Sequence, residues 1–127
     1  MTWKTHIISI KTVPISSYIG YACTYKTNRL TRIALLPIGY FDGYKFEFSN
    51  KTSVLINGSY APIIGRVAMN MIIVDITDIT ASIDDEVIIL GPYPHINAHD
   101  LALKANITNI REILVGINPA LKRIITK

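Results

Sequence analysis

Short apolar runs, separated by turn-forming residues, dominate the pattern of hydrophobic and polar positions along this chain. Runs of this length, bounded by Gly, Pro, Asn or Asp, are typical of β-strands. The pattern predicts strands over residues 7–10, 33–36, 53–56, 60–64, 71–76 and 87–90.

The dipeptide Asn57-Gly58 lies between two of these runs. Both residue types tolerate the positive φ that a type I′ turn requires, so the dipeptide is a strong local signal for a hairpin. We therefore expect residues 53–56 and 60–64 to pair as neighbouring antiparallel strands.

One helix is predicted over residues 98–105, where an apolar stripe follows helical spacing. Asn97 is suited to cap its first turn, Asp100 stands three residues on, and Asn106 fits the position just past the end. Residues 111–115 fit either a helix or a strand. Many strands with one or two short helices indicate a mostly β domain, either a barrel or a sandwich.

Length and composition agree with a single domain over residues 1–127, without repeats or linkers. No apolar block approaches the ~18 residues that span a bilayer, and the first residues lack an apolar secretory segment. The single cysteine, Cys23, excludes an intrachain disulfide and fits a reducing cytoplasm. We expect a cytoplasmic protein without a membrane segment.

The formal net charge of +4 raises the question of nucleic-acid binding. A nucleic-acid footprint concentrates its basic residues on one face or along a helix. Here they are scattered, with close pairs such as Arg29/Arg32 and Lys122/Arg123. We expect no nucleic-acid partner.

The residues that commonly bind metals are also dispersed. His6 stands alone, His95 precedes the predicted helix that contains His99, and no second cysteine accompanies them. Tetrahedral metal sites need several such ligands at close spacing, so no metal site is expected.

Tyr21 and Tyr40 lie in glycine-flanked, polar-flanked segments, Tyr21 after Gly20 and Tyr40 after Gly39. Such tyrosines either pack in β structure or project a hydroxyl from a turn towards a ligand. Arg66, in a polar segment between two apolar runs, is either an ion-pair partner or a contact for an anion. Spacing alone does not decide between these alternatives.

These segments follow one another in a fixed order that extends over nearly the whole chain. The most distinctive blocks are Ile19-Gly20-Tyr21, Leu36-Pro37-Ile38-Gly39-Tyr40-Phe41-Asp42-Gly43-Tyr44, Ile56-Asn57-Gly58 and Ala61-Pro62-Ile63-Ile64-Gly65-Arg66-Val67-Ala68-Met69-Asn70-Met71. In this order they resemble the C-terminal domain of alanine racemase. The resemblance implies a barrel-like, mostly β fold.

For Tyr21, the resemblance implies the role of a catalytic acid/base. Racemisation removes a proton from one face of the α-carbon and returns one to the other, so two opposed groups are needed. The family's second group is a lysine that holds pyridoxal 5'-phosphate on an N-terminal barrel domain, which these residues do not contain. A phenol, with a pKa of about 10 in isolation, needs neighbours that favour its ionised form. The resemblance places those neighbours on the other subunit of a head-to-tail homodimer.

Further roles follow from the same resemblance. Met69 matches the residue whose backbone N–H binds the substrate carboxylate. Tyr40 matches a tyrosine that narrows the substrate entrance, and Arg66 a charged residue that lines the entrance channel. Asn70 stands where aspartate is frequent. Arg111 stands where a tyrosine that holds the cofactor phosphate and lines the entrance is common.

The expected function is that of one domain of an alanine racemase that interconverts L- and D-alanine for peptidoglycan synthesis. Pyridoxal phosphate would be bound mainly by the absent N-terminal domain, so we expect this domain to be inactive alone. Two alternatives stay open. One is a racemase domain specific for serine, lysine or several amino acids, and the other is a non-catalytic β interaction module.

Overall fold

The computed structural model describes residues 1–125, with Tyr21 described by its backbone alone. It contains nine short strands, two α-helices and three 3-10 helices within these residues. The strands are β1 (Trp3–His6), β2 (Ser9–Val13), β3 (Tyr18–Ile19), β4 (Tyr25–Lys26), β5 (Thr31–Leu36), β6 (Ser53–Ile56), β7 (Ser59–Pro62), β8 (Ile72–Asp75) and β9 (Glu86–Leu90). The helices are α1 (Ala98–Ala105) and α2 (Arg111–Val115), and the 3-10 helices are Tyr21–Cys23, Tyr40–Asp42 and Phe46–Phe48.

The strands form three antiparallel sheets with the orders β1-β9-β6-β7, β2-β5-β8 and β3-β4. A single bridge between Ile63 and Val74 joins the two larger sheets. The mostly β class is confirmed. The barrel-like closure expected from the sequence is not found, because across residues 1–125 the strands are short and turns interrupt the ladder between the sheets.

The predicted strand over residues 7–10 is confirmed only at Ser9 and Ile10, which begin β2, because the chain changes sheets at Ile7 and Ile8. The Ile7 N–H donates to the Asp85 carbonyl beside β9, at 3.1 Å. The next N–H, that of Ile8, donates to the Leu35 carbonyl on β5, at 3.0 Å. Ile7 and Ile8 therefore have the composition of a strand but lie between β1 and β2. The other predicted runs overlap β5 to β9.

The predicted hairpin is confirmed, since β6 and β7 pair antiparallel around Asn57 and Gly58. Their φ angles of 49° and 79° are those of a type I′ turn. The predicted helix is also confirmed as α1, with the Asn97 Oδ1 accepting the Asp100 N–H at 2.9 Å and Asn106 in the left-handed region. The ambiguous 111–115 segment forms α2.

The main core lies between the two larger sheets and α1. Its largest side chains are those of Tyr44 and Phe48, whose rings meet edge to face at 4.8 Å between centroids. The Tyr44 hydroxyl pairs with the Thr52 Oγ1 at 3.1 Å, and burial raises the pKa of Tyr44. The segment that follows Gly39 is thereby fixed to the core. Within the described residues, no helix is long and apolar enough to cross a membrane.

The Asp100 carboxylate at the start of α1 makes this fold sensitive to acid. It accepts hydrogen bonds from the His95 N–H at 2.7 Å and the Asn97 amide at 3.0 Å, and the first of these contributes most to lowering its pKa below 3.8. A depressed folded-state pKa stabilises the fold above the unfolded-state value, and this stabilisation is lost as pH falls through the folded-state pKa. We expect the melting temperature of Asp100→Asn to decrease less than that of the parent chain as the pH falls below about 4.

Thermal melts of both proteins from neutral pH to about pH 3 measure this difference. Asp84→Asn provides the control, because the Asp84 side chain accepts no hydrogen bond among the described contacts. Parallel acid profiles for Asp100→Asn and the parent would contradict the assignment.

Candidate functional site

Tyr21 lies in a tight turn between β3 and β4, here called the tyrosine turn (residues 20–24). Gly20 has a φ of 76°, and both Ala22 and Cys23 have positive φ. Positive φ is uncommon for residues other than glycine and concentrates at functional sites. The Tyr21 side chain lies outside the described part of the structure, so its role stays a prediction.

A loop of residues 65–70 connects β7 to β8. Its ends are held by the Ile64 N–H, which donates to the Ile73 carbonyl at 3.0 Å, and by the Ala68 N–H, which donates to the Met71 carbonyl at 3.1 Å. Met69 and Asn70 are exposed at its tip. Within the described part of the chain, the Met69 N–H has no hydrogen-bond partner and is therefore available as a donor.

The tyrosine turn packs directly against this loop. A Cβ built on Gly20 would lie 3.5 Å from both the Gly65 Cα and the Arg66 N. A Cβ built on Gly65 would lie 2.9 Å from the Ile19 carbonyl oxygen. Two glycines therefore allow the backbones that precede Tyr21 and Arg66 to touch.

A second turn, residues 39–43, holds the orientation of the loop. The Tyr40 N–H donates to the Ala68 carbonyl and the Phe41 N–H to the Met69 carbonyl, each at 3.0 Å. The Ala68 carbonyl and the Met69 N–H belong to one trans peptide group, in which they point in opposite directions. The bond from Tyr40 therefore directs the Met69 N–H away from the 39–43 backbone.

The Arg66 side chain is exposed and lies over the Phe46 ring, with 5.7 Å from Cζ to the ring centroid. Among the described residues it makes no ion pair. Of the two readings of Arg66, the structural ion pair is thus not observed. Because the Arg66 side chain is exposed, its charge is accessible to an anion.

Three residues at this site were not found by sequence reasoning. Phe46 supports Arg66, Ser49 accepts the Val67 N–H at 2.8 Å, and Asn50 accepts the Gly65 N–H at 2.6 Å. The sequence signal was weak, because Ser-Asn before a strand is typical of any turn.

Arg111 is not brought into this cluster by any described contact. It is the first residue of α2 and is exposed, and its N–H donates to the Asn109 Oδ1 at 3.0 Å. The segment after α2 does reach the site, since the Asn118 N–H donates to the Asp42 carbonyl at 2.9 Å. The structure thus groups Tyr40, Arg66, Met69 and Asn70 with the tyrosine turn, and leaves Arg111 apart.

The donors of this cluster suit an anionic oxygen. They are the Met69 N–H and the Arg66 guanidinium. The tyrosine turn, the 39–43 turn and the 65–70 loop contain no lysine. Across the described residues, no group of three His, Cys, Asp or Glu side chains is placed to hold a metal ion.

Comparison with known proteins identifies the family. Residues 1–125 match the family model described as alanine racemase, C-terminal domain. The chain is 44% identical over 126 residues to an alanine racemase of Halothermothrix orenii, covering 97% of this chain and 33% of that protein. It is 41% identical over 126 residues to an alanine racemase of Methylacidiphilum infernorum, covering 97% and 32%.

Solved structures of alanine racemases resemble this chain in fold. Alanine racemase from Bartonella henselae, with covalently bound pyridoxal phosphate, superposes with a TM-score of 0.89 at 31% identity, covering 97% of this chain and 34% of that one. The Oenococcus oeni alanine racemase gives a TM-score of 0.88 at 28% identity, covering 98% and 34%. The fold is that of the matching third of these alanine racemase structures. The chain belongs to the alanine racemase C-terminal domain family, and it spans about a third of the length of the curated relatives it matches.

Proposed function

We propose that this chain is the C-terminal domain of a pyridoxal-phosphate-dependent racemase that interconverts L- and D-alanine. One observation supports this above the others. The contact of Gly20 with Gly65 and Arg66 sets the turn that contains Tyr21 beside the loop that presents the Met69 N–H. An acid/base group next to a carboxylate-binding donor is the arrangement that racemisation of an amino acid requires.

Met69 binds the substrate through its backbone in this proposal. Its N–H has no partner among the described residues and is oriented by the bond that the Ala68 carbonyl accepts from Tyr40. A carboxylate accepts strong, charge-assisted bonds from such a donor. Arg66 adds a positive charge on the same loop, and the neutral Asn70 does not cancel it, so the entrance attracts an anionic carboxylate.

Tyr21 exchanges a proton at one face of the substrate α-carbon, and a lysine outside this chain serves the opposite face. Pyridoxal phosphate, when bound, supplies the electron sink for this chemistry. Because the site segments of this chain contain no lysine, the cofactor is held mainly by the N-terminal barrel domain. Tyr40 narrows the entrance in this proposal. Arg111, which no described contact joins to this cluster, contributes a separate phosphate contact from the start of α2.

A partner surface covers this site in the full protein. Tyr40, Phe41, Phe46 and Met69 are 51%, 64%, 46% and 45% exposed around the site. Exposed apolar side chains grouped around one site are typical of an interaction surface. It supports a head-to-tail homodimer in which the partner's barrel domain closes the site. D-alanine made in the cytoplasm would then supply peptidoglycan synthesis.

The proposal is tested with a joined protein, in which this chain replaces the matching third of the Halothermothrix orenii racemase. We expect the joined protein to interconvert the alanine enantiomers. The isolated chain, mixed with pyridoxal phosphate, should show neither turnover nor absorbance near ~420 nm. Circular dichroism of L-alanine solutions follows the reaction, with serine and lysine as alternative substrates.

The control is the Halothermothrix orenii portion without this chain, which should be inactive. Appreciable racemisation by the isolated chain would contradict the proposal. Faster turnover of serine or lysine than of alanine would favour the racemase of other specificity. An inactive but folded joined protein would favour the interaction module.

A further inference from the structure

We propose that Asn50 is a positioning residue that sets the tyrosine turn against the 65–70 loop. The inference rests on the proposed function, since it concerns the placement of Tyr21 relative to the Met69 N–H. Asn50 itself lies in neither segment. It follows the 3-10 helix Phe46–Phe48 and precedes β6.

The Asn50 side chain links the two segments by its two polar atoms. Its Oδ1 accepts the Gly65 N–H at 2.6 Å, and its Nδ2 donates to the Thr24 Oγ1 at 3.0 Å. No other described hydrogen bond joins the tyrosine turn to the loop, directly or through one side chain. Apart from this link, Gly20 lies in van der Waals contact with Gly65, and the flanking Ile19 and Ile64 share a small buried cluster. Such apolar contacts are not directional, so the hydrogen bonds of Asn50 set the orientation of the turn against the loop.

The base from which Asn50 acts is fixed to the core. Phe48 is 1% exposed, and its carbonyl accepts the Lys51 N–H at 3.0 Å. Ser49 donates to the Phe46 carbonyl at 2.6 Å and accepts the Val67 N–H at 2.8 Å. Asn50 has a φ of 58°, in the left-handed region that asparagine tolerates better than most residues. Its amide is thus presented from a rigid turn.

This link matters because proton transfer depends steeply on geometry. A misplacement of about 1 Å, caused by a change outside the reacting groups, can cost about a hundredfold in rate. The Met69 N–H fixes the substrate carboxylate, and Tyr21 acts at the adjacent α-carbon. Asn50 therefore controls catalysis without touching the substrate.

Asn50→Gly in the joined protein tests the inference. Glycine keeps the positive φ and removes both side-chain bonds. We expect kcat to fall on the order of 10–100-fold. We also expect the α-deuterium isotope effect to rise for one enantiomer and not for the other, because Tyr21 removes the proton from only one of them. Loss of folded protein alone moves neither isotope effect.

Asn57→Gly is the matched control. Asn57 also has positive φ, at 49°, and its side chain also makes two hydrogen bonds, both donated by Nδ2, to the Thr80 carbonyl at 3.0 Å and the Asp85 carboxylate at 2.9 Å. It lies in the β6–β7 hairpin, outside the three segments of the site. Its replacement should lower the melting temperature to a similar extent and leave kcat and both isotope effects unchanged.

Two further measurements keep the inference testable if Asn50→Gly folds poorly. Thr24→Val removes only the hydrogen bond from the Asn50 Nδ2 to the Thr24 Oγ1. It should change the isotope effects in the same direction by a smaller factor. Hydrogen exchange of the joined protein that contains Thr24→Val should be faster than that of the parent in peptides covering residues 20–24 and 65–70.

The inference would be overturned if Asn50→Gly and Thr24→Val kept the isotope effects of the parent and had rates no lower than that of Asn57→Gly. That outcome is distinct from failure of the proposed function, which would appear as an inactive joined protein or as an active Tyr21→Phe variant.

Discussion

Replacement of Tyr21 by phenylalanine is expected to reduce racemisation by the joined protein roughly a thousandfold, within the ~10²–10⁴ range of general acid–base catalysis. The substitution keeps the ring and removes only the hydroxyl that exchanges the proton. The backbone conformation of the tyrosine turn, with positive φ at Gly20, Ala22 and Cys23, does not depend on that hydroxyl. Stability should therefore change little while kcat collapses in both directions.

Tyr18→Phe is the matched control for this substitution. Tyr18 lies on β3, three positions before Tyr21, and is 61% exposed, with the Lys26 amine 5.5 Å from its ring centroid. Removal of its hydroxyl keeps the ring under Lys26 and should leave the rate unchanged. Initial rates for both enantiomers, at saturating cofactor, measure the difference. Equal rates for Tyr21→Phe and the parent would sink the acid/base role and favour a non-catalytic domain.

Features encoded by neighbouring residues were predictable from the sequence. The Asn57-Gly58 hairpin and the Asn97 cap of α1 depend on the conformational preferences of a few adjacent residues. Both appear in the structure as expected. The 111–115 segment was too short for periodicity to separate helix from strand.

Features that depend on distant pairing were not predictable. The residues at 7–8 have the composition of a strand, but Ile7 and Ile8 bond to different sheets. The lack of closure is also non-local. Among the described residues, one isolated bridge, from Ile63 to Val74, joins the two larger sheets, and the ladder does not continue beyond it. No short sequence pattern reports whether a ladder continues between two sheets.

The site divides in the same way. Tyr40 and Arg66 were candidates from the sequence and Met69 from the family resemblance, and the structure brings their segments together. Phe46 and Asn50 were missed because their roles depend on contacts far along the chain. Asn50 bonds to Gly65 and Thr24, which are 15 and 26 positions away. A turn asparagine has the same sequence appearance whether or not its amide joins two functional segments.

Gly39→Ala is expected to cause the second large loss, through the 65–70 loop. A Cβ on Gly39 would overlap the carbonyl oxygens of Ala68 and Met69. These two atoms accept the Tyr40 and Phe41 N–H bonds that orient the Met69 peptide. The φ of Gly39 is −158°, an extended value that alanine adopts freely, so the whole effect is steric. The loop must move away, at a cost of about 1–3 kcal/mol in unfolding free energy.

Gly58→Ala separates this effect on the loop from a general loss of stability. Gly58 has a φ of 79°, with no atom within 4 Å of a built Cβ, so alanine there incurs only a conformational cost of about 1–2 kcal/mol. Both variants should unfold at similarly lowered urea concentrations. Racemisation should fall on the order of a hundredfold for Gly39→Ala alone, with a raised KM. Activities that follow stability equally in both variants would show that the 39–43 turn supports the fold without orienting the Met69 N–H.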